Sequence, residues 1–130
     1  MMKRTAFFIA ALAAFSTAAL AEGDPKKGEK VFKKCKTCHM VGEGAKKRIG
    51  PQLNNIIGRK AGSTEGFKYS KAMKAAGEGG LVWDEEKLDK FLTKPRAMIK
   101  KTRMTFGGLK KAEQRANVIA YLKTFSKPAE

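Results

Sequence analysis

Histidine is nearly missing from this sequence: 130 residues contain one, His39. Zinc sites built on two or more imidazoles are thereby excluded, as is any catalytic triad needing a histidine elsewhere. Cysteine is almost as scarce. The two present, Cys35 and Cys38, stand three positions apart, which excludes a scaffold of several disulfides. Negative charge is also in short supply, with 12 Asp and Glu against 28 Lys and Arg and a net charge of +16. Long apolar runs are lacking too. The uncharged stretch Ala6 to Ala21 is 16 residues and includes Ser16 and Thr17, short of the ~20 predominantly apolar residues that span a bilayer. Against these shortages stand a hydrophobic fraction of 42% and eight Phe, which fit a packed core and not a disordered polycation. The length suits one domain.

The opening Met1-Met2-Lys3-Arg4, the apolar stretch and the closing Ala19-Leu20-Ala21 are the three parts of a secretory signal peptide. Cleavage after Ala21 is expected, leaving a domain over 22–130. Its charge would be +16 less the two charges of Lys3 and Arg4, or +14. The expected product is exported and periplasmic, and does not itself span a membrane. In that compartment nucleic acid is not the expected partner, whatever the charge suggests.

Along the rest of the chain, Asp24-Pro25 reads as a helix start: Asp caps, and Pro suits the first helical position. Gly28, Val31, Phe32 and Cys35 follow on one helical face. A Gly inside that face costs about 1 kcal/mol relative to Ala, which a helix crossing at close range would explain. The Gly-rich stretch from Met40 to Gly66 reads as a long loop around something. Ser70 to Ala76 is a short helix candidate closed by Gly77. Asp84 caps another, with Glu85 and Glu86 at its start, a stripe of Leu88, Phe91 and Leu92, and a stop at Pro95. Thr93 to Gly108 reads as a second, basic loop. Lys110 to Phe125 is the strongest helix, with Val118, Tyr121, Leu122 and Phe125 on one face. Nothing reads as a strand. The expected fold class is all-α, about four to five short helices and long loops.

Cys35-Lys36-Thr37-Cys38-His39 has the spacing C-x-x-C-H of c-type haem attachment. Two thiols so spaced can each form a thioether to one haem vinyl group, and the next residue, His39, is then held beneath the iron. A redox C-x-x-C pair would follow a strand in a βαβ unit, of which there is no sign. A zinc site would need about four ligands, and two Cys with one His fall short. A second axial ligand cannot be histidine, so methionine is the natural neutral partner. Beyond the leader, the sequence offers Met40, Met73, Met98 and Met104. Met40 adjoins His39 and cannot reach the opposite face. Met73 has helical neighbours and reads as packing. Met98 and Met104 share a loop, and the residues alone leave both open.

At this point the sequence resembles the class I c-type cytochromes, of the bacterial cytochrome c2 and mitochondrial cytochrome c type, over essentially all of 22–130. The ordered segments are Gly28-x-x-Val31-Phe32-x-x-Cys35, Gly50-Pro51-x-Leu53, Gly58-Arg59-Lys60-x-Gly62, Gly66-Phe67-x-Tyr69-Ser70, Trp83, Thr102-Arg103-Met104-x-Phe106 and Glu113-x-Arg115-x-x-Val118-Ile119-Ala120-Tyr121-Leu122. The resemblance implies an all-α fold around one covalently bound haem c, with the first and last helices crossing where Gly28 and Phe32 meet Val118 and Tyr121. It implies Cys35 and Cys38 as attachment sites, with His39 and Met104 as the metal ligands. Pro51 would orient His39 through its carbonyl. Arg59, Tyr69, Ser70 and Trp83 would surround the haem propionates. Three positions depart from the family pattern: Lys100-Lys101 stand where Pro-Gly is common, Phe91 where Tyr is common, and Met73 where Asn is common.

The function so implied is one-electron transfer by a diffusible carrier, not catalysis. The family's partners are membrane complexes: a quinol–cytochrome c reductase as donor and a terminal oxidase or photosynthetic reaction centre as acceptor. A peroxidase or gas-binding cytochrome is the alternative, and would need an open distal site. Lys33, Lys34, Lys36, Lys46, Lys47, Arg48, Lys100, Lys101, Arg103, Lys110 and Lys111 cluster near the two ligand positions. They are expected to dock a monomer onto acidic faces of those complexes.

Overall fold

The structure, a computed structural model, describes residues 22–127. The expected signal peptide, residues 1–21, lies outside the described residues. Five helices follow in order: α1 Pro25–Phe32, α2 Lys71–Glu78, α3 Glu85–Thr93, α4 Pro95–Met98 and α5 Ala112–Lys123. Among the described residues the sole β pairing is an isolated bridge between Lys60 and Val82. No helix among them is long and apolar enough to cross a membrane.

Local chemistry starts each of the first three helices. Asp24 is extended, and its carboxylate accepts from the Lys26 N–H at 2.8 Å, with Pro25 opening the helix. Ser70 Oγ accepts from the Met73 N–H at 3.0 Å. Asp84 Oδ1 accepts from the Lys87 N–H at 2.7 Å, with Glu85 and Glu86 in the first turn against the positive end of the helix dipole.

Two details differ from the sequence reading. Gly77 does not close α2; the helix continues to Glu78, with Gly79 as its cap. Gly77 is there for closeness, since a Cβ would overlap the Ala61 carbonyl oxygen. The span read as one basic loop also contains α4, a single turn with Pro95 at its first position.

Helices α1 and α5 cross at Gly28, where a Cβ would overlap the Asn117 carbonyl oxygen and come within 2.8 Å of Tyr121 Cβ. Phe32 packs on Tyr121 with ring centroids 5.3 Å apart. Asn117 is buried at the crossing, and its Oδ1 accepts from the Asp24 N–H at 2.8 Å. That bond ties the start of α1 to the middle of α5. The core then runs from Phe32 and Val118 through Leu122 to Leu88, Leu92 and Trp83.

Lys101 adopts a left-handed φ of 63°. A side chain in that region costs about 1–2 kcal/mol, while glycine loses more backbone entropy on folding. Lys101→Gly is expected to stabilise the protein by roughly 0.5–1 kcal/mol net. Denaturant unfolding measures this, and a loss of stability would show that the strain is relieved elsewhere.

Candidate functional site

The attachment segment is wound by its own backbone. After α1 the chain keeps turning: Cys35 N–H donates to Phe32 O at 2.8 Å, Cys38 N–H to Cys35 O at 3.1 Å, and His39 N–H to Cys35 O at 2.9 Å. This winding brings Cys35, Cys38 and His39 to the wall of one cavity of about 440 Å³. Burial first, then the neighbouring Cys38, push the Cys35 thiol up to about 11. A redox-active C-x-x-C pair needs the opposite, a lowered thiol.

His39 is set by two neighbours. Its Nδ1 lies 2.7 Å from the Pro51 carbonyl oxygen. A carbonyl only accepts, so Nδ1 carries the proton and the lone pair is left on Nε2. Burial holds the imidazole below its ordinary pKa, against the upward pull of the Pro51 carbonyl. The ring lies on bare backbone at Gly50, where a Cβ would come within 2.8 Å of Nδ1 and 2.9 Å of Nε2. Any larger residue there would turn the ring.

Pro51, Arg59, Tyr69, Ser70, Trp83 and Met104 line the same cavity. Each is also anchored to its own surroundings. Arg59 donates to the Gln52 carbonyl at 3.0 Å and the Asn54 carbonyl at 3.2 Å. Tyr69 accepts from the Thr64 N–H at 3.2 Å and meets Phe67 edge-on at 4.8 Å. Ser70 caps α2. Trp83 packs against Phe91 with centroids 5.0 Å apart. The Arg103 guanidinium, next to Met104, donates to the Lys68 carbonyl at 3.1 Å, tying the Met104 segment to the Tyr69 loop.

The methionines divide in a way the sequence did not show. Met104 lines the cavity, and so does Met73, which sequence reasoning assigned to packing. Met98 lies instead in a shallow groove with Asp89, Lys90, Thr93, Lys94 and Ala97. The turn of α4 carries it away. Sequence reasoning also missed Asn117 and the Arg59 carbonyl cradle, because neither belongs to a local pattern.

The residues present fit a haem. The cavity wall is chiefly apolar: Leu53, Ile56, Leu88, Phe91, Leu92 and Phe106 take part in it. Arg59 brings a half-buried cation with no carboxylate partner among the described residues, and a buried charge without a partner is costly. A haem supplies both halves of what is missing, an apolar disc and an anionic propionate edge.

The cytochrome c family model matches residues 25–126. The chain is 58% identical to cytochrome c2 of Afifella marina over 98 residues, covering 75% of this chain and 79% of that one. It is 53% identical to cytochrome c2 of Rhodomicrobium vannielii over 116 residues, covering 89% and 90%. The structure of cytochrome c2 from Rhodospirillum centenum superposes with a TM-score of 0.78 at 44% identity, over 81% of this chain and 100% of that one. The wound C-x-x-C-H segment, the haem-sized cavity and these likenesses agree: the chain belongs to the cytochrome c family, and it is an electron carrier, not an enzyme, with one covalently bound haem c.

Proposed function

We propose that this chain is a periplasmic carrier whose iron is held by His39 and Met104, moving single electrons from a quinol–cytochrome c reductase to an oxidase or reaction centre. The ligand assignment is supported by Met104 and the Pro51-oriented His39 lining one cavity with Met98 outside it; Met73 lines that cavity too, and the resemblance to c-type cytochromes selects Met104 over it. When bound, the haem supplies a one-electron ferric–ferrous couple. The protein's part is to hold that couple still and to tune it. Pro51 fixes the His39 ring and its tautomer, as outer partners of metal ligands do. A neutral thioether and a neutral imidazole as its protein ligands would favour the reduced state and raise the potential. Phe91 and Met73, standing where the resemblance makes Tyr and Asn common, make the cavity wall less polar. Arg59, Tyr69, Ser70 and Trp83 are positioned for the propionate end. The signal peptide is removed after Ala21, and the exported domain acts as a monomer.

Charge distribution supports docking on acidic partners. The ion pairs among the described residues are Lys27–Glu113, Arg115–Asp89 and Lys123–Glu85, all on α1, α3 and α5. None involves Lys33, Lys34, Lys36, Lys46, Lys100, Lys101 or Arg103. Those cations have no carboxylate partner among the described residues and can meet carboxylates of another protein, which chiefly speeds and orients encounter.

Electron transfer to an acidic partner is therefore expected to slow as salt rises through ~0.1 M, where the Debye length falls to ~10 Å. Charge reversal at Lys33 and Lys100 is expected to slow it more, at low salt, than reversal at Lys127 near the tail. Stopped-flow rates across a salt series measure both. Equal effects at all three positions would reduce the cations to a solvated surface.

A further inference from the structure

Segments 38–42 and 50–54 are tied to each other at intervals, and the ties ascend both segments together. Gly50 N–H donates to Cys38 O at 2.8 Å, and Leu53 N–H donates to Met40 O at 3.0 Å. His39 and Pro51 meet between those two ties, with Nδ1 2.7 Å from the Pro51 carbonyl oxygen. The last tie uses a side chain. Gly42 N–H donates to Asn54 Oδ1 at 2.8 Å, and Asn54 Nδ2 donates back to Gly42 O at 2.8 Å. Gly42 and Asn54 stand three positions beyond His39 and Pro51 respectively.

A carboxamide suits this place because it carries the donor and the acceptor of a peptide unit on a short arm. At Gly42 the chain turns off: its φ is left-handed at 95°, and its carbonyl also accepts from Ala45 N–H at 3.2 Å. The arm of Asn54 spans the distance that opens there. One orientation of the amide satisfies both Gly42 groups; turned over, it would set N–H against N–H and oxygen against oxygen. The backbone of Asn54 is held as well. Its N–H donates to Gln52 Oε1 at 2.7 Å, and its carbonyl accepts from the Arg59 guanidinium at 3.2 Å. Asn55 then fastens the segment from behind: its N–H donates to Phe125 O at 2.9 Å, and its Oδ1 accepts from Lys127 N–H at 2.9 Å.

We propose that Asn54 is a positioning residue for His39: its paired hydrogen bonds to Gly42 hold segment 50–54 against segment 38–42, so that the Pro51 carbonyl stays on the Nδ1 proton. This rests on the ligation of iron by His39 proposed above. The consequence is electronic as well as geometric. A carbonyl held on Nδ1–H makes the imidazole a stronger donor, and a stronger donor favours the ferric state. Without the Asn54 tie the carbonyl gains freedom to swing, the imidazole donates less, and the potential rises.

The test compares haem-loaded wild type, Asn54→Leu, which keeps the volume and removes both bonds, and Gly28→Ala, which loosens the fold at the distant helix crossing. Asn54→Ala takes the place of Asn54→Leu if the latter does not fold. NMR of the ferrous protein reads hydrogen exchange at His39 Nδ1, with the Val118 amide in the core reporting global opening. Redox titration reads the potential. Asn54→Leu is expected to speed Nδ1 exchange about tenfold relative to the Val118 amide, and to raise the ratio of reduced to oxidised protein at a fixed potential about threefold. Gly28→Ala is expected to move the two exchange rates together and to leave that ratio unchanged. An Asn54 variant that behaves as Gly28→Ala does would overturn the proposal and reduce Asn54 to a structural tie. A changed potential with unchanged Nδ1 exchange would also overturn it, since the carboxamide dipole and not the Pro51 carbonyl would then be responsible. Wild-type His39 ring resonances without the large ring-current shift of a haem ligand would end the ligation reading itself, and the positioning role with it.

Discussion

Met104→Ala is expected to abolish the weak long-wavelength absorption of a methionine sulfur on ferric haem, lower the potential and open the iron to added cyanide or imidazole. The change is categorical because the iron would lose a neutral thioether donor that favours the reduced state, and alanine offers no donor in its place. Met98→Ala should leave all three readouts unchanged. It removes a partly buried side chain from a groove beside α3, at a stability cost of about 1–2 kcal/mol. Met73 supplies the sharper comparison, because its thioether shares the cavity with Met104. Met73→Leu keeps the volume and removes the sulfur, so the absorption should survive it. If Met73→Leu removes the band and Met104→Ala does not, the ligand assignment is wrong. The same spectra address the peroxidase or gas-binding alternative: rapid cyanide binding to the unaltered ferric protein would indicate an open distal site.

Gly28→Ala is expected to destabilise the fold by roughly 3 kcal/mol. Helix propensity alone gives the opposite sign, a gain of about 1 kcal/mol for Ala over Gly inside a helix. The crossing reverses it: an added Cβ overlaps the Asn117 carbonyl oxygen, which belongs to the α5 backbone and cannot rotate aside. Relief requires α1 to move away from α5, and that would loosen the Phe32–Tyr121 contact and the Asn117–Asp24 hydrogen bond together. Guanidinium unfolding followed by the haem absorption measures the effect. Gly107→Ala is the matched control, having nothing within 4 Å of its added Cβ, and should fall within about 0.5 kcal/mol of wild type. A Gly28→Ala protein as stable as this control would mean that the crossing yields easily and that Gly28 serves some other end.

Local signals located the helices well. Asp24-Pro25, Ser70 and Asp84 each mark a helix start, because a cap needs only a side-chain oxygen two or three residues from the N–H it satisfies. The apolar stripe of α5 was equally plain, though its ends were read wide: the helix begins at Ala112 and ends at Lys123. Its first turn has no side-chain cap at Lys111 to announce it. Gly77 misled for a related reason. Glycine commonly follows a helix end, but here it permits Ala61 to pass close by, a contact sixteen positions away in sequence.

By itself, then, the sequence determined the attachment chemistry and the helix starts. The C-x-x-C-H spacing is five consecutive residues, and one backbone turn suffices to bring their side chains together. The resemblance to c-type cytochromes added the wider set of cavity residues. Only the tertiary structure decided which methionines face the cavity and that Asn117 bolts α1 to α5. Met73, Met98 and Met104 are chemically alike and carry no local label. Their directions depend on how α2, α4 and the loop beyond α4 are folded back over the core. That path is set by long-range packing at Gly28 and Gly77, and by carbonyl ties from Arg59 and Arg103. No window of neighbouring residues contains it.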